Sequence, residues 1–193
     1  MGPADEAERI EVDSPAAWGE WLTDRHRQRD GVWLVRWTAA SGRETWPIRA
    51  YTKESLRFGW IDSVPRKADR PERTMLWCAP RKPRSGWSRL NKQLIEELRE
   101  EGRMEPAGEA VIEAAVEDGS WSLLDDVEDG IVPDDLAAAF DTHPGSRQVW
   151  EGFPWSARRG MLEWLVQAKT PPTRERRVLA IASQAAAGKR ALG

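Results

Sequence analysis

The chain has 193 residues, 40% hydrophobic and 32% charged, with 29 Lys and Arg against 32 Asp and Glu for a net charge of −3. This fits one domain over residues 1–193 with a single sizeable core, and it excludes collagenous, low-complexity and disordered chains. With no apolar run of about 18 residues, no apolar signal core in the acidic start MGPADEAERIE and one cysteine, we expect a cytoplasmic protein without membrane contact or an internal disulfide.

Ser14-Pro15 reads as a helix start, Ser14 as N-cap and Pro15 as the first helical residue. Trp18, Trp21, Leu22 and Arg25 follow at helical spacing, and Asp30-Gly31 marks the stop. Val32 to Trp37 is apolar on both alternating faces, which predicts a central strand covered on both sides. After a turn at Ser41-Gly42, Thr52 is placed to cap a short helix through Leu56 and Phe58. Residues 60–64 and 74–78 read as two further strands, joined by a polar turn near Asp69-Arg70-Pro71.

From Ser88, again an N-cap candidate, the period becomes helical. Leu90, Leu94, Ile95 and Leu98 form one stripe that ends before Gly102. Pro106 opens a helix with Val111, Ile112, Ala115 and Val116 inward, and Glu105, Glu109, Glu113 and Glu117 as a solvated outer face. An acidic loop over residues 125–130 comes next, then a short helix over Leu136 to Phe140. Loops follow at Pro144-Gly145 and 152–154, then a helix capped by Ser156 and a last one starting at Thr173. The fold class is α+β: an N-terminal helix and a small, mostly antiparallel sheet over 1–87, then a run of helices over 88–193.

The small net charge hides segregation. Residues 64–92 carry a net +7, residues 93–141 a net −14 and residues 142–193 a net +6. Such blocks either steer an anionic ligand or cancel one another in the fold. The loop from Ala79 to Ser88 is stiffened by two prolines and places Arg81, Lys82 and Arg84 beside a helix start. With Trp60, Asp62, Trp87, Ser88 and Asn91 these residues form a candidate pocket for a planar or anionic molecule. Against that stand pairing of the arginines with the acidic helices, Trp87 as core, and Asp62 as a partner of backbone N–H groups.

The blocks Phe58-Gly59-Trp60-Ile61-Asp62, Ala79-Pro80-Arg81-Lys82-Pro83, Trp87-Ser88, Asn91 and Glu101-Gly102-Arg103-Met104 resemble the YdeI/OmpD-associated family, also labelled bacteriocin protection. The likeness continues through Val132-Pro133-Asp134-Asp135-Leu136, Ala168-Lys169, Thr173-Arg174 and Arg176-Arg177, nearly the whole chain. It implies a role in protection and stress tolerance and brings no agreed reaction. Members are also described as periplasmic. Cys78 stands where the family pattern has Thr, and Val64-Pro65 replaces more polar residues.

His26 and His143 are far apart, and no CxxC, HExxH, Walker loop, GxGxxG or G-x-S-x-G occurs, so no metal or cofactor is expected. Three readings remain. The first is a small-molecule-binding protein acting by sequestration. The second is an enzyme using the same residues with Asp62 as general base. The third is single-stranded nucleic-acid binding through residues 64–92 and their Trp residues, which the −14 block opposes. A homodimer is compatible with the Trp content.

Overall fold

The computed structural model describes residues 6–191; residues 1–5, the start of the acidic amino terminus, and 192–193 lie outside it. The chain forms two compact units, Met1–Ser85 with Leu90–Trp121 and Gly86–Arg89 with Ser122–Gly193. The fold class is α+β, with a four-stranded mixed sheet in the first unit and the helices mostly C-terminal.

The first unit runs β1 (Arg9–Glu11), α1 (Pro15–Arg25), β2 (Val32–Trp37), α2 (Ile48–Arg57), β3 (Trp60–Lys67) and β4 (Arg73–Pro80). It continues through α3 (Arg89–Glu100, from Leu90 on) and α4 (Pro106–Glu117). Strand order is β1-β2-β4-β3, parallel between β1 and β2 and antiparallel elsewhere. The α1 start is as the sequence reads: the Ser14 hydroxyl accepts from the Ala17 N–H and Pro15 sits in the first turn. Strand β2 lies between two partners, and its first four residues are buried.

One sheet face contributes Val32, Leu34, Leu76, Cys78 and Trp60 to a core shared with Trp18, Leu22, Tyr51 and Phe58. There Trp18 and Trp21 stack at 5.0 Å, with Trp60 edge-on to both. Their buried indoles find acceptors: Trp18 Nε1 donates to Ser55 Oγ and Trp60 Nε1 to the His26 carbonyl, each at 2.9 Å. The other face gathers Trp33, Val35 and Met75 beside Ala7, Ala68 and Trp77.

Several expectations change here. Helix α2 begins at Ile48 after Pro47, so Thr52 is an interior residue; its hydroxyl donates to the Ile48 carbonyl and to Asp62 instead of capping. Leu90 and Val116 are exposed, because the inward stripes are narrower: Leu94, Ile95 and Leu98 on α3, Ile112 and Ala115 on α4. Strand β1, three residues long, carried no periodic signal.

The second unit holds α5 (Asp125–Asp129), α6 (Asp134–Asp141), α7 (Ser146–Glu151), α8 (Trp155–Val166) and α9 (Pro171–Ala186). Its core is aliphatic apart from Phe140 and Trp150, with Leu136, Leu162, Leu165, Ile181 and Ala182 at the centre. The expected acidic loop is the helix α5, ended by Gly130 in the left-handed region. Ser156 falls inside the first turn of α8, which starts after Pro154, so it caps nothing. Helix α9 begins two residues before Thr173, and the cap is Thr170, whose hydroxyl accepts from the Thr173 N–H. Helix α7 lies between the two expected loops, where no element was expected. Among the described residues no helix is long and apolar enough to cross a membrane.

Candidate functional site

The basic loop follows β4. Arg81 is buried, and its N–H donates to the Gly59 carbonyl at 3.0 Å. Burial pulls its guanidinium down to about 10, so it still carries its charge at neutral pH. Lys82, Pro83 and Arg84 are exposed. The Lys82 carbonyl accepts from both the N–H of Ser85 (3.3 Å) and its hydroxyl (2.7 Å), closing a turn with Pro83 and Arg84 at its centre. Arg84 has φ 59, among the described residues the one non-glycine with positive φ. A third turn residue at positive φ after proline is the type II pattern, which favours glycine or asparagine. The Arg84 N–H also donates to Asp118 at 3.2 Å. Hydrogen bonds from Ser120, then from the Arg84 backbone, hold the Asp118 carboxyl below its usual range.

Asp62 lies half-buried on β3, opposite Cys78 on β4, and accepts from the Thr52 hydroxyl at 2.6 Å. Burial, then the nearby Asp62 charge, pushes the Cys78 thiol up, while a hydrogen bond with Ser55 opposes them; the thiol is held protonated as core. The β3/β4 pairing sets Trp60 opposite Pro80, the residue before Arg81. The sheet thus brings Trp60, Asp62 and the 81–84 loop to neighbouring strand positions.

Trp60 is fully buried and Trp87 is 2% exposed, so neither ring has a face open for a ligand to stack on. Trp87 and Ser88 belong to the second unit, whereas Trp60, Asp62, Arg81, Lys82, Arg84 and Asn91 belong to the first. Ser88 directly precedes α3, and Asn91 is half-buried in its first turn. Of the two Trp residues of the 64–92 reading, Trp87 is thus buried, and Trp77 is half-buried and stands edge-on to Trp33 at 5.2 Å. From the same segment, Arg66 lies 4.7 Å over Trp33.

An ion-pair network that the sequence reading missed joins α2, α3 and residues 101–105. Glu54, 7% exposed at its side chain, receives Arg57 at 2.7 Å and also Arg103. Arg57 reaches on to Glu105 at 3.1 Å and to the Arg103 carbonyl at 3.0 Å. Lys53 bridges Glu97 (3.0 Å) and Glu101 (2.7 Å). Burial opposes the Lys53 charge, yet hydrogen bonds with Glu101 and Glu97 raise its pKa overall. Part of the −14 block is thereby neutralised inside the fold, and Glu105 and Glu109 of the expected solvated face are paired. The Glu54–Arg57 spacing of three was the one sign of it in the sequence. Among the described residues no group of three or more His, Cys, Asp and Glu could hold a metal ion.

Residues 10–111 match the family model of a domain of unknown function, DUF8412, which covers just over half of the chain. The chain belongs to that family. Residues 129–188 match the model described as bacteriocin-protection, YdeI or OmpD-associated, the family the sequence resembles. The blocks at 132–136, 168–169 and 173–177 fall within that match, whereas those between 58 and 104 fall in the DUF8412 segment. No curated protein and no solved structure matches the chain. Within the YdeI/OmpD-associated segment, Asp135 on α6 accepts from Arg174 on α9 twice, at 2.6 and 3.0 Å, tying the 132–136 block to the 173–177 block. Arg177 donates to the Trp164 carbonyl while lying 4.9 Å over that ring. These basic residues hold the helices of the segment together.

Proposed function

We propose that this DUF8412 protein binds a small anionic molecule at its 81–85 loop in the cytoplasm. Binding would serve protection against a toxic compound or stress, a role with which the YdeI/OmpD-associated match is consistent. One observation carries the reading: an arginine occupies a turn position with φ 59. The left-handed region costs a non-glycine residue roughly 1–2 kcal/mol. A strained backbone that keeps a charged, exposed side chain in place supports a use for that side chain. Lys82 and Arg84, adjacent in the loop to the buried Arg81, offer charge-assisted donors to a carboxylate or phosphate.

Arg84→Gly separates use from structure. We expect urea unfolding to show a gain of about 0.5–1 kcal/mol, because glycine relieves the strain. We also expect binding of phosphate, nucleoside monophosphates or aromatic carboxylates, followed by thermal shift, to weaken by about tenfold, the loss of one charge-assisted contact. Gained stability with unchanged binding would sink the proposal, as would failure of every probe on the wild type. A steep salt dependence with oligonucleotides only would favour the nucleic-acid reading. The enzymatic alternative rests on Asp62, held at 2.6 Å by Thr52. It requires turnover that Asp62→Asn abolishes while binding stays.

A further inference from the structure

A recess of about 500 Å³ opens in the first unit where the end of α1 faces the start of α4, lined by His26, Arg27, Phe58, Glu105, Pro106 and Ala107. Pockets for small ligands span roughly 300–1,000 Å³. Its walls are fixed by backbone. The Glu105 N–H donates to the Arg57 carbonyl at 3.2 Å. Gly108 lies so close that a Cβ would stand 2.3 Å from that carbonyl oxygen, pinning the first turn of α4 against the end of α2. On the other side, the His26 carbonyl accepts from Trp60 Nε1, and its Nδ1 meets the Leu22 carbonyl at 2.9 Å. A carbonyl only accepts, so Nδ1 is the donor in this hydrogen bond, which fixes the ring against the end of α1. The His26 ring stacks on the buried Phe58 at 5.2 Å, giving the recess an aromatic wall.

The charges around it do not cancel. Glu105 is answered by Arg57, which also meets the buried Glu54, itself bound by Arg103. Arg27 is exposed and, among the described residues, makes no ion pair. One guanidinium without an ion pair, beside Phe58, Pro106 and Ala107, suits a single carboxylate on a compact apolar body. We infer that this recess is a binding site for a small aromatic monocarboxylate. The inference does not depend on the 81–85 loop, from which none of its lining residues comes.

Benzoate is the probe and neutral benzamide its comparator, titrated into the full chain by calorimetry and Trp emission. We expect saturable benzoate binding at millimolar concentration, weaker by about tenfold for benzamide and for Arg27→Ala, since a charge-assisted contact is lost in each. Ala107→Leu, which fills the recess from a helical position, is expected to abolish binding. Arg84→Gly leaves it intact. No benzoate binding, equal binding of benzamide, or binding indifferent to Arg27→Ala overturns the inference. Should Ala107→Leu fail to fold, the surface change Arg27→Ala still decides.

Discussion

In the first unit a carboxylate, Glu54, is buried between two guanidinium groups beside a cluster of three tryptophans. In the second the centre is Leu136, Leu162, Leu165, Ile181 and Ala182, and the carboxylate–guanidinium pairs lie further out. The contrast follows from what each unit has to pack. Packing helices onto one face of the sheet leaves indole N–H groups and a charged side chain inside, and each needs a partner. The packed amphipathic helices of the second unit bury apolar stripes and, with them, Ser146, whose hydroxyl donates to the Phe140 carbonyl. Loss should therefore take a different form in each: an uncompensated charge in one, a cavity in the other.

The largest expected effect is in the second unit. Leu165 is fully buried, and Leu165→Ala should cost about 3–4 kcal/mol in urea unfolding. A loss under about 1 kcal/mol would mean that the helices close over the gap. Next is Glu54→Gln in the first unit. Breaking a buried pair costs about 3–5 kcal/mol, but Arg57 and Arg103 are partly exposed, so about 2–3 is expected. We propose that residues 1–193 unfold as one domain, so both substitutions should lower one common transition. Two separate transitions, each moved by one substitution, would reject that reading.

How much of this was legible beforehand varies by feature. Helix α1 was readable because Ser14 and Pro15 act locally, and β2 because both its faces are apolar. Helix α7 was missed because Pro144-Gly145 looks like a loop, whereas Gly145 stands at φ 80 at the head of that helix. The Thr52 cap failed because Pro47 starts the helix a turn earlier, a choice the sequence offers without ranking. For the site, the basic residues of the loop were visible as composition, but the positive φ of Arg84 was not. The Glu54–Arg103 pair joins residues 49 apart, and the His26 recess is assembled from α1, α2 and α4, so neither leaves a local pattern.

The smallest expected effect is where the contrast should vanish. Arg174 grips Asp135 at 2.6 and 3.0 Å in the second unit, and Arg99 grips Glu109 at 3.0 and 2.7 Å in the first. Each carboxyl is held below its usual range, chiefly by the hydrogen bond from its arginine. A carboxylate depressed in the folded state adds stability that is complete above its unfolded value, about 4, and is lost as pH falls through the folded one. Acid should thus weaken both units below about pH 4. Both pairs are a third or more exposed at their side chains, so water screens them and each is worth under about 1 kcal/mol. Asp135→Asn and Glu109→Gln should cost alike at pH 7, and each should flatten the acid limb of the stability curve. If one cost several times more than the other, the units would differ at their surfaces as well as inside, and burial would no longer account for the difference between them.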